Sequence, residues 1–215
     1  MNVLETGAAA AEARLAAVML HGRSRAAVEM AELGAAFGLH DLRFNSPQAE
    51  GNSWYPGRFL EPLAHNQPAL DQAVAAIGAV LEQLNTEGFG AERIVLCGFS
   101  QGACLVAELL LRRPAPYAAA IIFTGGVIGP PGTVWQPREP LDGMPVLLTG
   151  SETDEWIPVW RSRQTAEVLA AAGAKVAMTI YPDRPHEVCS DEIAKARALI
   201  LALGPPQLSL LRIMS

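Results

Sequence analysis

The sequence predicts a mainly parallel α/β sheet with helices on both faces, and three observations carry that reading. Short, unbroken apolar runs rich in β-formers alternate along the chain with amphipathic or Ala-rich helical stretches. The runs lack the in–out alternation of a half-solvated strand, so they call for a sheet buried on both sides. In Ile94-Val95-Leu96-Cys97-Gly98-Phe99-Ser100-Gln101-Gly102-Ala103-Cys104, a Gly-x-Ser-x-Gly pattern stands between such a run and a helix-favouring stretch. There Ser100 would sit on a sharp, strained turn, and Gly98 and Gly102 would lack the Cβ atoms that collide as helix and strand close.

Residues 15–20 form the first apolar run and end at His21-Gly22. The stretch 26–37 reads as an amphipathic helix stopped by Gly38, and 42–44 as a short strand. Residues 45–68 show no period, carry Pro47, Gly51, Pro56, Gly57 and Pro62, and hold Trp54, Tyr55 and Phe59. A connection that long is uncommon unless it binds something. A long Ala-rich helix is expected over 69–87, ended by Gly88 and Gly90, and after the Ser100 turn a helix over 103–113. Residues 118–123 read as a buried strand and 124–145, crowded with Gly and Pro, as loop. A strand over 146–149 ends at Gly150-Ser151-Glu152-Thr153-Asp154. Then come a helix over 159–172 capped by Gly173, a strand over 176–181, and a helix over 191–203 closed by Gly204-Pro205-Pro206. No linker or repeat divides the chain, so 1–215 is expected to be one domain, and the tail 207–215 receives no role.

Composition narrows the function classes. The net charge is −6 with no basic cluster, which argues against a nucleic-acid partner. Half the residues are hydrophobic, yet no uncharged apolar run approaches the roughly 18 residues of a membrane span, so no stable membrane insertion is expected. The Ala-rich start contains Glu12 and Arg14 without a basic leader, so a signal peptide is not expected. Cys97, Cys104 and Cys189 show neither disulfide nor zinc spacing, which points to a reducing cytoplasm.

In a sheet of this kind, function collects at the carboxyl ends of the strands. Those ends carry His21-Gly22-Arg23, Ser100, Asp154 and His186. A serine hydroxyl is a poor nucleophile until an imidazole takes its proton, and the imidazole needs a carboxylate to fix its tautomer. The order Ser100, Asp154, His186 is that of an α/β-hydrolase. Glu152 and Glu155 crowd the same loop as Asp154, whose place beyond the strand end favours it. The backbone N–H groups of Arg23 and Gln101 are the expected oxyanion hole, with His21 bracing the loop beside it. Trp54, Tyr55, Ile128 and Trp156 are the expected substrate surface, fit for a short acyl or aromatic group. On that reading, Trp54→Ala would lower the preferred acyl length and spare thermal stability.

His-Gly-Arg after the first strand, Gly-Asn-Ser-Trp-Tyr in the long loop, Gly-Phe-Ser-Gln-Gly-Ala, Thr-Gly-Gly, the Asp154 loop with Pro158, and His186-Glu187-Val188 stand in one order. Together they resemble the phospholipase/carboxylesterase family, bacterial relatives of the acyl-protein thioesterases, over nearly all of 15–203. The resemblance implies an α/β-hydrolase fold without a large cap domain and metal-free hydrolysis of carboxylic esters or thioesters; lysophospholipids are kept as a further substrate class, and no cofactor is expected. It also implies Ser100, Asp154 and His186 as the triad and the Trp54 loop at the acyl site; a homodimer stays open. Ser24 and Arg25 stand where a small Gly-containing loop is usual, and Pro185 where glycine is common before the histidine. Other classes remain: a dienelactone-hydrolase-like enzyme, which usually employs cysteine, an acyltransferase or peptidase on the same triad, or a binding protein that keeps the fold without the chemistry.

Overall fold

The computed structural model describes residues 1–136 and 138–204. The expected Pro205-Pro206 stop and the tail 207–215 lie outside the described residues. The amino-terminal half contains β1 (Asn2–Gly7), β2 (Leu15–Leu20), α1 (Ala27–Ala36), β3 (Leu42–Gln48) and α2 (Ala69–Thr86). After it follow β4 (Ile94–Phe99), α3 (Gln101–Arg112), β5 (Ala119–Phe123), β6 (Pro145–Ser151), α4 (Val159–Ala171), β7 (Lys175–Tyr181) and α5 (Ser190–Ala202). The strands form a single sheet in the order β1-β3-β2-β4-β5-β6-β7, parallel throughout except for β1, which runs antiparallel to β3.

Every residue of β2, β4 and β5 is buried, because these strands lie inside the sheet with helices above and below. Their unbroken apolar sequences follow from that position. Side chains still alternate between the two faces. Leu15, Ala17 and Met19 pack with Met30, Phe37, Ala196 and Ile200 on the face covered by α1 and α5. Ala16, Val18 and Leu20 pack with Leu70, Ile77, Leu105 and Leu109 on the face covered by α2 and α3, a cluster that Leu169 of α4 joins.

Three expectations needed revision. The strand at the amino terminus was not foreseen: β1 is a polar, solvent-facing edge whose only half-buried residue is Val3, so it carries no hydrophobic pattern. Its pairing with β3 extends that strand four residues beyond the expected 42–44, to Gln48. The patternless segment is shorter for the same reason, and it is further organised by short helical turns at Glu50–Asn52 and Leu63–Asn66. Buried Asn66 pins it, accepting the Gly57 N–H (2.8 Å) and donating to the Arg58 carbonyl (3.1 Å).

The connection from β4 to α3 is the tightest place in the fold. A Cβ on Gly98 would stand 2.4 Å from the Gly102 carbonyl oxygen, and one on Gly102 would stand 2.1 Å from that of Leu20. Both obstacles are backbone, so neither can turn aside. Ser100 between them has φ 54° and ψ −116°, an unfavourable conformation for a residue with a side chain. Two hydrogen bonds hold it there: Ser100 N–H donates to the Phe123 carbonyl (3.0 Å), and Cys104 N–H to the Ser100 carbonyl (3.0 Å). The helix therefore begins at Gln101, two residues earlier than its composition suggested.

Gly102→Ala should destabilise the protein by about 3 kcal/mol or more, at the upper end of overpacking costs, as read from urea denaturation. A loss below about 0.5 kcal/mol would mean that α3 can lift away from β2.

Candidate active site

Ser100, His186 and Asp154 come from three separate strand ends and meet in one hydrogen-bonded line. The Ser100 hydroxyl lies 2.8 Å from His186 Nε2, and His186 Nδ1 lies 2.8 Å from Asp154 Oδ2 and 3.1 Å from Oδ1. The arrangement requires the tautomer in which Nδ1–H donates to the carboxylate and Nε2 accepts from the hydroxyl. Asp154 Oδ1 also accepts the N–H groups of Trp156 (2.9 Å) and Ile157 (2.8 Å). Burial on its own would raise the pKa of this carboxyl. The bonds from His186, Ile157 and Trp156 outweigh that and hold it below the usual carboxylate range. The neighbouring acids turn elsewhere: Glu152 pairs with Arg163 at 2.6 Å, and Glu155 accepts the Trp156 indole N–H.

Arg23 and Gln101 line the same cavity as Ser100 and His186, and neither backbone N–H has an acceptor among the described residues. Their side chains have a task that sequence reasoning missed. Gln101 Oε1 accepts the Trp54 N–H (3.0 Å) while its Nε2 donates to the Tyr55 carbonyl (2.7 Å). The Arg23 guanidinium donates to the carbonyls of Pro56 (2.6 Å) and Gly57 and lies over the Tyr55 ring. Between them these residues staple the 53–57 loop to the turn. Ser24 next door has φ 60°, the left-handed region that glycine favours. His21 is fully buried: its Nε2 accepts the Ala49 N–H (3.1 Å), so Nδ1 carries the proton and donates to the Gly22 carbonyl (2.7 Å). Burial pushes its pKa down, which keeps this brace neutral.

A cavity of about 480 Å³ opens over Ser100 and His186, walled by Tyr55, Phe59, Cys104, Trp156 and Ile157. Tyr55 and Trp156 thus stand where a substrate surface was expected. Trp54 and Ile128 do not. Trp54 is 3 % exposed, its ring rests 4.9 Å from that of His21, and its indole N–H donates to the His21 carbonyl (2.8 Å). The polar tip of the indole found a backbone acceptor inside the protein, which drew the ring into the core. Ile128 is fully buried in the core, and its carbonyl accepts the Trp135 indole N–H.

Arg184 was also missed, since an arginine between Asp183 and Pro185 reads as a surface charge. It is 4 % exposed. Its guanidinium donates to the carbonyls of Pro185 (2.7 Å) and Glu187, on either side of His186, and to Thr124 Oγ1 (2.6 Å). Its charge faces Glu192 at 3.4 Å, itself fully buried and held by Thr149 and by the Cys189 N–H. The capping box at the start of α5 thereby doubles as the counter-charge of the His186 loop.

A model of the phospholipase/carboxylesterase family matches residues 40–203. The crystal structure of a phospholipase/carboxylesterase from Dyadobacter fermentans superposes with a TM-score of 0.88 at 37 % identity, covering 93 % of this chain and 95 % of that one. Carboxylesterase SOBER1 of Arabidopsis thaliana is 24 % identical over 66 % of this chain and 63 % of its own. Acyl-protein thioesterase 1 of Gibberella zeae is 29 % identical over 60 % of this chain and 55 % of its own. The chain thus spans less than two thirds of the length of these curated relatives.

Two substitutions test the supports of the site. Trp54→Ala should cost about 3–5 kcal/mol, contrary to the expectation of spared thermal stability, because it empties a core position. An unchanged melting temperature would return Trp54 to the solvent-facing wall. Arg184→Leu should cost about 3–5 kcal/mol because it strands the buried Glu192 charge, and pairing it with Glu192→Gln should recover most of that loss in thermal melts. A double variant no more stable than Arg184→Leu would show that the two charges are not coupled.

Proposed function

This chain belongs to the phospholipase/carboxylesterase family, and from that premise we propose that it is a serine esterase. It would cleave short- to medium-chain carboxylic esters through an acyl-enzyme on Ser100. The observation that carries the reading is the unbroken line from the Ser100 hydroxyl through His186 to Asp154, opening into a cavity large enough for a small ester.

In this mechanism the substrate carbonyl lies between Ser100 Oγ and the free N–H groups of Arg23 and Gln101. As Oγ attacks, its proton passes to His186 Nε2, and the imidazolium is stabilised by the Asp154 carboxylate. Negative charge gathers on the carbonyl oxygen, and the two N–H groups receive it; loss of one such donor typically costs on the order of 10²–10³ in turnover. The tetrahedral intermediate collapses, the C–O bond to the alcohol breaks, and His186 returns its proton to the leaving oxygen. Water then attacks the acyl-enzyme by the same route in reverse, with His186 as base, and the acid leaves Ser100 free.

A cysteine nucleophile, as in the dienelactone-hydrolase-like alternative, is disfavoured. Cys104, the cysteine in the cavity wall, is fully buried, and burial pushes its thiol up to about 11, so little thiolate forms near neutral pH. Its sulfur also accepts the Gly126 N–H at 3.4 Å, the bond of a structural residue. Cys97, Cys104 and Cys189 are all free, which supports a reducing, cytoplasmic setting. No helix among the described residues is long and apolar enough to cross a membrane.

Ser100→Ala should lower turnover of a short-chain ester by about 10⁴-fold or more and abolish stoichiometric labelling by a fluorophosphonate, with the fold intact by circular dichroism. Asp154→Asn should also lose orders of magnitude in kcat, whereas Glu152→Gln should stay within about tenfold of the parent. A Ser100→Ala protein that keeps a tenth of the activity would remove Ser100 from the mechanism.

A further inference from the structure

The cavity above Ser100 has two unlike sides. Tyr55, Phe59, Trp156 and Ile157 make it apolar, whereas Arg23 and Arg58 also line it, and no Asp or Glu does so among the described residues. The protein as a whole is acidic, with 22 acidic against 16 basic residues, so a cationic cavity runs against its surroundings.

The two arginines differ in what occupies them. Arg23 donates to the carbonyls of Pro56 and Gly57, which are neutral acceptors, and it has no ion pair among the described residues. Arg58 is exposed, and its side chain has no hydrogen bond or ion pair among the described residues. Glu61, the acid nearest in sequence, turns to His65 at 3.5 Å instead. Several exposed arginines away from the cavity are tied to carboxylates, Arg25 to Glu29, Arg113 to Glu82 and Arg163 to Glu152, whereas Arg58 is not. The backbone beneath Arg58 is nonetheless fixed, since its carbonyl accepts from buried Asn66 and from the Glu61 N–H. A guanidinium on an anchored backbone at the rim of a mostly apolar cavity is well disposed to take two oxygens of one anion side by side.

Building on the esterase reading, we infer that the preferred substrate is an ester carrying an anionic group, a carboxylate or a phosphate, away from the scissile bond. Arg58 receives that anion and Arg23 adds to the field. The apolar wall takes the carbon chain between anion and ester, and its length sets which substrate spans the cavity. The interaction is equal in ground and transition states, so it acts through KM. It also weakens with salt, because Arg58 is solvent-exposed.

The test compares monomethyl esters of succinic, adipic and suberic acids with the methyl esters of fatty acids of matched length, and adds a short-chain acylglycerol phosphate for the phosphate source. At low ionic strength the best anionic ester should exceed its neutral counterpart by about tenfold in kcat/KM, mainly through KM, and 0.5 M salt should shrink the ratio. Arg58→Gln should bring the ratio close to one, and Arg58→Lys, which keeps charge without the planar fork, should fall between. A preference for the dicarboxylate monoesters identifies the anion as a carboxylate, and a preference confined to the acylglycerol phosphate identifies it as a phosphate. Equal use of anionic and neutral esters, or a preference that survives Arg58→Gln, overturns the inference and leaves the esterase reading standing. No turnover of any ester, together with no fluorophosphonate labelling of Ser100, overturns that reading and the inference with it.

Discussion

Backbone packed directly on backbone, where α3 crosses β2 and β4, is the constraint on which the rest of the site depends. At Gly102 there is no room for a single carbon between the helix and the Leu20 carbonyl. That proximity brings the first turn of α3 to the end of β2, so Gln101 and Arg23 line one cavity. It also forces the chain through a left-handed residue at Ser100, which lifts its hydroxyl above the sheet. The strain is borne by the parallel neighbour: Phe123, paired with Phe99, supplies the carbonyl that holds Ser100 N–H.

Around this rigid centre the loops are held by polar groups rather than by regular structure. The 53–57 loop hangs from the side chains of Gln101 and Arg23, and the His186 loop hangs from Arg184. Thr124, at the end of β5, accepts from the same guanidinium with φ 53°. Arg184 and Glu192 are thus a buried pair that ties the last loop to the strand ends beside Ser100. Ion pairs of this sort add little net stability over apolar packing, but they are severe when broken, which favours one loop geometry over its neighbours.

The sequence showed most where burial is two-sided or backbone geometry is extreme. β2, β4 and β5 were legible because both faces are covered, and the Ser100 turn because only glycine fits on either side of it. Reading off the strand ends singled out Asp154 and His186, and the structure brings His186 within hydrogen-bonding distance of both Asp154 and Ser100. β1 was invisible since an exposed edge strand imposes no pattern on its residues. Trp54 and Ile128 were misplaced for a different reason. An aromatic or aliphatic side chain in a loop suits core and pocket equally, and a single backbone carbonyl, that of His21, settled the matter for Trp54. Arg184 and Arg58 read alike in sequence as loop arginines. Only their surroundings separate them: one is enclosed, with both terminal nitrogens bonded, and the other is exposed, with no side-chain bond among the described residues.

The antiparallel edge strand has a consequence for how the chain is made. β1 leaves the ribosome well before its partner residues, Arg43 to Gln48, which follow some forty positions later. Until β3 has emerged and settled against β2, the first strand has nothing to pair with. A conventional apolar strand held waiting in solvent would be a hazard for association with other nascent chains. With Asn2, Glu5, Thr6 and Gly7 among its six residues, β1 can wait. The polarity that hides it from a reader of the sequence is what suits it to be synthesised ahead of its partner and docked late.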